Sequence, residues 1–317
     1  MRSFLCRVPL TNCCSLFVFF ACAEILAPGP AFAWDDQAPR ERTKESPQDV
    51  VRAANNGDAR AQYMLGQAYA GGEGAQQDLA EAVRWYSKAA DQGYAVAQVA
   101  LGAAYELGHG VPKDFAESVR WYRKAADQGD ADAQFAFGEA YDLGEGAPKD
   151  YAEASRWYRK AAEQGNPMAQ TYLGLAFEFG KGVPQDFAEA VRWYREAADK
   201  PNLIGDTTAQ SHLGGLYHQG KGVPQDFTEA ARWFRIAAER GNAGAQYRLG
   251  LLYELGEGVP QDYVQAHRWV NLAASRVSGD EHKEYVDMRD YIAGKMSAEQ
   301  LAEAQRLARE WSTGNTK

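Results

Sequence analysis

The chain has only four cysteines among 317 residues, and all of them lie near the N-terminus, at Cys6, Cys13, Cys14 and Cys22. No disulfide can therefore form within the rest of the chain, whose stability must come from packing. Basic residues are fewer than acidic ones, 34 against 43, and the formal net charge at pH 7 is −9. This acidity disfavours nucleic acid and anionic lipid as partners, because both bind basic surfaces.

Near the N-terminus the chain lacks a hydrophobic run long enough to cross a membrane. The apolar run there extends only from Cys13 to Ala23, whereas a membrane-spanning helix needs about 20 apolar residues. Arginines precede this run and Ala31-Phe32-Ala33 follows it, an order typical of a secretory signal peptide. We therefore predict a signal peptide over residues 1–33, cleaved after Ala33, and a periplasmic or secreted mature protein without a membrane span. Cleavage after Ala23 and a lipoprotein signal at Cys22 match less well.

Repetition is what the chain has in abundance. Tryptophan follows arginine at a period of 36 residues, with one interval lengthened by four residues, at Trp85, Trp121, Trp157, Trp193, Trp233 and Trp269. Six copies extend from residue 57 to about residue 276. A unit of this length cannot bury its apolar face alone, so successive copies must stack into a solenoid. Any function would then reside on a surface rather than in a buried pocket.

Each unit is predicted to be a pair of antiparallel helices. In the second copy, small and apolar residues at positions 97, 101, 104 and 105 form the stripe of an amphipathic helix. Gly108, Gly110 and Pro112 end that helix, since glycine adopts left-handed conformations and proline cannot continue a helix. Asp114 and Glu117 have capping-box spacing and fix the start of the second helix. The predicted fold class is all-α, an α-solenoid of six helix-turn-helix repeats.

The ends and one interruption depart from the repeat. Residues 34–56 are predicted to be a linker followed by an N-terminal capping helix. Residues 277–317 are predicted to form C-terminal capping helices, and Ser297-x-x-Gln300 has the spacing of a capping box. Between the fourth and fifth copies, the segment from Asp199 to Gly205 contains four extra residues. That segment is either a special loop or a tolerated surface insertion.

The shared skeleton, Ala-x-Ala-Gln-x-x-Leu-Gly-x-x-Tyr followed by Gly-x-Gly-Val-Pro-x-Asp-Phe and then Arg-Trp-Tyr, resembles the Sel1-like repeat, a relative of the tetratricopeptide repeat. The resemblance covers residues 57 to about 276. It implies a right-handed superhelix that gathers other proteins into complexes, and many bacterial members are exported. The skeleton itself specifies how the solenoid is built and names no partner.

Positions on the first helices that differ between copies are the candidates for partner binding, because packing positions stay fixed. Tyrosine, phenylalanine, methionine and arginine are frequent there, a composition typical of protein or peptide binding surfaces. The resemblance places the first helices on the concave side of the superhelix. We predict a partner-binding groove formed by Arg60, Tyr63, Met64, Phe135, Glu139, Tyr172, His212, Tyr247 and Arg248. Several of these side chains could instead pack against the next repeat.

No catalytic, metal-binding or cofactor-binding residues are predicted. The chain contains no Ser-x-x-Lys and no Gly-x-Ser-x-Gly sequence. His212 and His218 lie about 240° apart around a helix and cannot share one metal ion. The Gly-x-Gly connectors lack the preceding strand of a phosphate-binding loop. The repeated Arg-Trp pair could bind a ligand through cation–π contacts, but its fixed recurrence favours packing.

The sequence thus predicts an exported, non-enzymatic scaffold that binds a protein or peptide partner in the cell envelope or outside the cell. One alternative is a peptidoglycan- or glycan-associated module whose aromatic residues stack on sugar rings. The other is a β-lactamase-like enzyme, because some cysteine-rich Sel1-like proteins have been linked to β-lactam hydrolysis. The missing nucleophile motifs and the lack of paired cysteines after residue 33 weigh against the enzyme.

Overall fold

The computed structural model describes residues 46–72, 76–198 and 204–314, which form fifteen helices and no strand. The predicted signal peptide, residues 1–33, lies outside these ranges. The chain divides into two compact units between Asp150 and Tyr151. Unit 1 contains α1 (Pro47–Asn55), α2 (Ala59–Gly71), α3 (Leu79–Asp91), α4 (Ala95–Leu107), α5 (Phe115–Asp127) and α6 (Ala131–Leu143). Unit 2 contains α7 (Tyr151–Glu163), α8 (Pro167–Phe179), α9 (Phe187–Ala198), α10 (Ile204–Gln219), α11 (Phe227–Glu239), α12 (Ala243–Leu255), α13 (Tyr263–Ala274), α14 (Gly279–Ala293) and α15 (Ala298–Gly314).

Helices that follow one another in the chain pack against one another within each unit. This holds from α1 to α6 in unit 1 and from α7 to α14 in unit 2, and α15 packs on α13. Even-numbered helices from α2 to α12 are the first helices of the repeats, and odd-numbered helices from α3 to α13 are the second. The predicted all-α solenoid of helix pairs is confirmed.

The second helices begin where the sequence predicts, but the capping box is incomplete. Asp114 Oδ1 accepts hydrogen bonds from the backbone N–H groups of Ala116 at 3.0 Å and Glu117 at 3.1 Å. The Glu117 carboxylate pairs with Arg120 at 2.7 Å rather than with the backbone. The Asp114 N–H already donates to the Tyr105 carbonyl at 2.9 Å. The first helix therefore accepts the hydrogen bond that a capping-box glutamate would otherwise accept.

The second glycine of the Gly-x-Gly connector allows successive repeats to approach closely. Gly110 has a φ of 76°, and a Cβ added there would lie 2.1 Å from the carbonyl oxygen of Leu79, at the start of the preceding second helix. A side chain would therefore both strain the backbone and separate the repeats. Later connectors repeat this approach, at Gly146, Gly182, Gly222 and Gly258.

A buried glutamine near the start of each first helix joins it to the preceding repeat. Gln98 Nε2 donates to the Ala90 carbonyl at 3.1 Å, near the C-terminal end of α3, where helix carbonyls lack helical partners. At Gln210 the bond spans the inserted segment and lengthens to 3.4 Å. The same bond joins Gln62 to Ala54, Gln134 to Ala126, Gln170 to Ala162, Gln210 to Ala198 and Gln246 to Ala238.

The inserted segment and both ends are accommodated by helices. Residues 204 and 205 of the insertion belong to α10, which has 16 residues against 13 in α4; residues 199–203 lie outside the described ranges. Helix α1 occupies the position predicted for the N-terminal cap. At the other end, Ser297 N–H donates to Gln300 Oε1 at 2.9 Å and Gln300 N–H donates to Ser297 Oγ at 3.2 Å. This reciprocal pair completes the predicted capping box.

Five of the six repeated tryptophans are buried in the core, and Trp157 is half-buried. Trp121 and Trp193 expose only 5% and 4% of their surfaces. Lys124 Nζ lies 3.7 Å from the centroid of the Trp121 ring. An internal cation thus already covers a face of that ring, and the packing interpretation of the Arg-Trp repeat is confirmed.

Candidate functional site

Each first helix carries one stripe, at spacing i, i+4, i+7 and i+11, whose residues change from copy to copy. This spacing places four side chains on one side of a helix. We call the stripes of one unit its variable face. The variable face of unit 1 comprises Arg60, Met64, Gln67 and Gly71 on α2, Val96, Ala100, Ala103 and Leu107 on α4, and Asp132, Ala136, Glu139 and Leu143 on α6. That of unit 2 comprises Met168, Tyr172, Leu175 and Phe179 on α8, Thr208, His212, Gly215 and Gln219 on α10, and Gly244, Arg248, Leu251 and Leu255 on α12.

An aromatic cluster lies beside the stripe of α2 in unit 1. The Tyr63 ring centroid is 5.6 Å from that of Tyr86 and 5.7 Å from that of Tyr94. Gln67 donates a hydrogen bond to the Tyr63 hydroxyl at 2.8 Å. Burial and nearby acidic groups raise the pKa of Tyr63 to about 12. Tyr63 is therefore a fixed, neutral side chain, while Arg60 on the same helix is exposed.

Carboxylates gather around Glu139, which belongs to the variable face of unit 1. Burial raises the pKa of Glu139 well above its usual value, and the nearby acids Glu106, Asp142 and Glu145 raise it further. A gap of about 20 Å³ beside these side chains has room for about one water molecule. The arrangement keeps a proton on Glu139 more readily than on an exposed glutamate.

In unit 2 the acid equivalent to Asp142 is Glu178, which is held by hydrogen-bonding and cationic neighbours. Glu178 Oε2 accepts a hydrogen bond from the Tyr194 hydroxyl at 2.7 Å and lies 2.8 Å from His212 Nδ1. Burial raises the pKa of Glu178, but His212, Tyr194 and the charge of Arg248 together outweigh it and lower that pKa. Glu178 thereby fixes the orientation of the His212 ring on the variable face.

The C-terminal part of unit 2 closes over Tyr247. Its ring stacks on Tyr285 of α14 with centroids 4.1 Å apart, and its hydroxyl donates to Glu284 Oε1 at 3.2 Å. Burial is the main cause that raises the pKa of Tyr247, and Glu284 adds to it. Lys295, beyond α14, donates to Glu254 Oε1 at 2.7 Å. The C-terminal cap thus supplies partners for side chains of the last repeat.

The nine predicted groove residues differ in how much surface they offer. Phe135 and Tyr247 expose only 6% and 4% of their surfaces and have little area for a partner. They lie one residue before the variable stripe, which turns them by about 100° towards neighbouring helices. Arg60 is exposed, and the half-buried members are Tyr63, Met64, Glu139, Tyr172, His212 and Arg248. Partner binding by this set stays a prediction.

Sequence reasoning missed two exposed apolar side chains on the variable face of unit 2. Phe179 and Leu255 expose 43% and 47% of their surfaces, at equivalent positions in the fourth and sixth repeats. Gln219 stands between them in the fifth repeat. The sequence contained a signal for these positions, because each of the three residues lies seven positions after a predicted groove residue. Those groove residues are Tyr172, His212 and Arg248. Each directly precedes the connector and is easily attributed to the helix core.

The histidines do not form a metal site in the described ranges. His212 faces Glu178, whereas His218 Nε2 lies 3.3 Å from Glu257 Oε2. No group of three or more histidine, cysteine or acidic side chains able to hold a metal ion occurs among the residues that the structure describes. Within the same residues, no helix is both long and apolar enough to cross a membrane.

The repeat boundaries coincide with those of a known family. The family described as Sel1 repeat matches six segments of the chain, residues 59–94, 95–130, 131–166, 167–202, 207–242 and 243–277. The chain belongs to the Sel1 repeat family. Sel1 repeat proteins are generally protein-interaction scaffolds and are typically not enzymes.

The chain is similar to several proteins of solved structure. A Sel1 repeat protein from Oxalobacter formigenes is 35% identical, with a TM-score of 0.62 over 74% of this chain and 89% of that one. A protective antigen of uropathogenic Escherichia coli with the SLR fold is 28% identical, with a TM-score of 0.37 over 83% and 86% of the two chains. The immunity protein Pa5087 of Pseudomonas aeruginosa is 23% identical, with a TM-score of 0.41 over 74% and 81%. No curated protein matches the chain.

Proposed function

We propose that this Sel1 repeat protein is an exported, non-enzymatic scaffold that binds a protein or peptide partner on its variable faces. The observation that carries this proposal is the composition of the variable face of unit 2. Exposed Phe179 and Leu255 accompany the polar side chains of His212 and Arg248 there. Large exposed apolar side chains beside a few positioned polar groups are typical of protein-binding surfaces.

The export part of the proposal rests on the N-terminal segment alone. Its short apolar run and the Ala31-Phe32-Ala33 sequence match a cleaved secretory signal. The partner would then be met in the periplasm or outside the cell. The absence of cysteine after residue 33 suits an oxidising compartment, since no free thiol is carried there.

A capture experiment with matched surface variants tests the binding role. The face variant is Phe179→Ser/Leu255→Ser, and the control is Tyr151→Ser/Tyr291→Ser, whose tyrosines are also in unit 2 and expose 36% and 40% of their surfaces away from the variable face. We expect a protein from envelope or secreted fractions to be retained by the wild type and the control and lost by the face variant. Equal retention by all three proteins would contradict the proposal.

Thermal melting in the presence of muropeptides distinguishes a glycan-binding module from a protein-binding scaffold. A ligand that binds only the folded chain raises its melting temperature, and the rise grows with ligand concentration. The proposal predicts no shift with purified muropeptides. A shift that grows with muropeptide concentration would favour the peptidoglycan-associated module instead.

A further inference from the structure

The variable face of unit 2 has a gap at its centre. Gly215 lies in the middle of α10 and is itself buried, yet a Cβ added there would meet no atom of the described residues within 4 Å. The adjacent Gly214 is different, because its added Cβ would lie 2.9 Å from the Phe234 ring. Packing between the helices of the repeat thus explains Gly214, whereas nothing in the packing requires glycine at position 215.

Apolar side chains border this gap on the neighbouring first helices. Leu175 on α8 and Leu251 on α12 occupy the position equivalent to Gly215 in the repeats before and after it. One helical turn further, Phe179 and Leu255 expose 43% and 47% of their surfaces. The gap therefore lies between apolar side chains of the repeat before it and the repeat after it.

Arg248 supplies an unpaired positive charge on the same face. Its equivalents in the two preceding repeats are Tyr172 and His212. Among the described residues, no hydrogen-bond acceptor or carboxylate pairs with the Arg248 guanidinium, which lies 5.9 Å from the centroid of the Phe234 ring. A guanidinium carries five N–H donors in a fixed planar arrangement that matches a carboxylate.

The two acids close enough to attract Arg248 are already engaged elsewhere. Glu178 Oε2 bonds with Tyr194 and His212, and Glu284 Oε1 accepts the Tyr247 hydroxyl. Neither carboxylate comes within 4 Å of the guanidinium, which is the distance of an ion pair. Arg248 therefore keeps its donors available for an acidic group from outside the chain.

His212 provides a second polar group beside the gap. It lies one turn before Gly215 on α10, and Glu178 holds its Nδ1 atom. Its other ring nitrogen, Nε2, makes no hydrogen bond to a described residue. An imidazole fixed in this way presents one oriented polar atom to whatever occupies the face.

We propose that the variable face of unit 2 binds an extended peptide segment that places a bulky apolar side chain over Gly215 and an acidic side chain against Arg248. This inference rests on the proposed scaffold function and specifies the chemistry of its partner. The apolar side chain covers Leu175 and the exposed Phe179 and Leu255. The acidic side chain makes paired hydrogen bonds with the guanidinium, a geometry that arginine favours with carboxylates.

Selection from a random peptide library tests the proposal. The peptides are displayed with their C-termini fused to a carrier, so that only acidic side chains, and no free C-terminal carboxylate, can reach Arg248. The full-length chain, expressed with its own N-terminal segment and purified, serves as bait. We expect the selected peptides to combine aspartate or glutamate with a nearby leucine, methionine or aromatic residue.

Three variants of the bait show which residue of the protein causes each preference in the selected peptides. Arg248→Gln should lose the acidic preference and keep the apolar one, whereas Gly215→Leu fills the gap and should lose the apolar preference. Gly215→Ala is the matched control and should select the same peptides as the wild type. Far-UV circular dichroism and thermal melting confirm that each variant is folded.

A selected peptide then allows a quantitative test. By fluorescence polarisation, Arg248→Gln should bind it roughly tenfold or more weakly, since hydrogen bonds to charged groups are worth about 1.5–3 kcal/mol. Replacing the peptide's acid with its amide should weaken binding to the wild type by a similar factor and have little further effect on Arg248→Gln.

The outcomes separate this inference from the proposed function. Selected peptides without an acid, or selection unchanged by Arg248→Gln and Gly215→Leu, would overturn the inference and leave a peptide-binding scaffold in place. No selection on the wild-type bait would also overturn the inference. The scaffold function itself is decided independently by the capture experiment with the Phe179→Ser/Leu255→Ser variant.

Discussion

Gly214 and Gly215 are adjacent in α10, yet replacing each with alanine should change stability in opposite directions. Both residues lie within the helix, and neither has a positive φ. An alanine Cβ at position 214 would lie 2.9 Å from Cδ1 and Cε1 of Phe234, which is only 1% exposed. At position 215 the Cβ would meet no described atom within 4 Å. The pair thus isolates one steric contact in a shared helical background.

The magnitudes follow from two opposing effects. Replacing glycine with alanine inside a helix stabilises it by about 0.5–1 kcal/mol, and this gain applies at both positions. Forcing an extra methyl group against a buried ring costs about 1–3 kcal/mol. We expect Gly215→Ala to raise the free energy of unfolding by about 0.5–1 kcal/mol. Gly214→Ala should then be less stable than Gly215→Ala by about 1–3 kcal/mol.

Equilibrium urea unfolding followed by circular dichroism measures this difference. The transition midpoint should move up for Gly215→Ala and lie clearly below that position for Gly214→Ala, with similar slopes for both variants. Equal midpoints for the two variants would show that the Phe234 contact does not constrain α10. Close packing against Phe234 would then fail to explain the glycine at position 214.

Three further predictions follow from the connectors, the buried acids and the N-terminus. Gly110→Ala should destabilise the chain by about 1–3 kcal/mol more than Gly93→Ala, because both glycines have a positive φ but only a Cβ at position 110 would meet a neighbouring backbone. Thermal unfolding measures the difference, and equal losses of stability in the two variants would contradict this reason. Burial raises the pKa of Glu139, so Glu139→Gln should stabilise the chain at pH 7. The gain should be about 1.4 kcal/mol for each tenfold increase that folding causes in the proton affinity of the carboxylate. It should vanish as the pH falls through the raised pKa towards 4.5. The pKa of Glu178 is lowered because its neighbours outweigh its burial. Glu178→Gln should therefore destabilise the chain by about 1–3 kcal/mol above pH 4.5, and progressively less as the pH falls through the lowered pKa. Urea titrations at several pH values measure both glutamine variants, and stability changes of the same sign for the two at pH 7 would refute the reasoning. N-terminal sequencing of the exported protein should begin directly after Ala33, and an intact N-terminus on exported protein would contradict cleavage.

Local sequence signals were sufficient for the helices and their ends. The 36-residue period located the helix pairs, because stacking repeats the same packing positions in every copy. Asp114 indicated the start of a second helix and Gly108 the end of a first one, since caps depend on residues adjacent in sequence. The Glu117 side chain was assigned to the wrong partner, because the Tyr105 carbonyl that replaces it comes from the other helix.

Contacts between repeats could not be predicted from spacing. Glu178 and His212 lie 34 positions apart, and only the stacking of α8 against α10 brings their side chains to 2.8 Å. Nothing in the sequence indicated that Gln98 bonds to the Ala90 carbonyl, because this role requires knowing where the preceding helix ends. Binding surfaces on a solenoid depend on these contacts between repeats.

Contacts between helices also explain why Tyr247 is buried although the sequence predicts it on the groove surface. Tyrosine is a residue type suited to binding, but α14 places Tyr285 against the Tyr247 ring. Gly215 carries no side chain, so its residue type gives no signal that it belongs to a binding surface. Its significance depends on the empty space in front of it, which only the three-dimensional arrangement shows.

Site-specific photo-crosslinking in living cells tests the central claim most directly. A photoreactive amino acid is placed at Phe179 on the variable face and, in a separate protein, at Tyr291 on α14, two positions of similar exposure, 43% and 40%. The account predicts a discrete crosslinked protein from position 179 and none from position 291. Crosslinks from position 291 alone, or none from position 179 in cells that export the protein, would contradict a scaffold that binds its partner on the variable face.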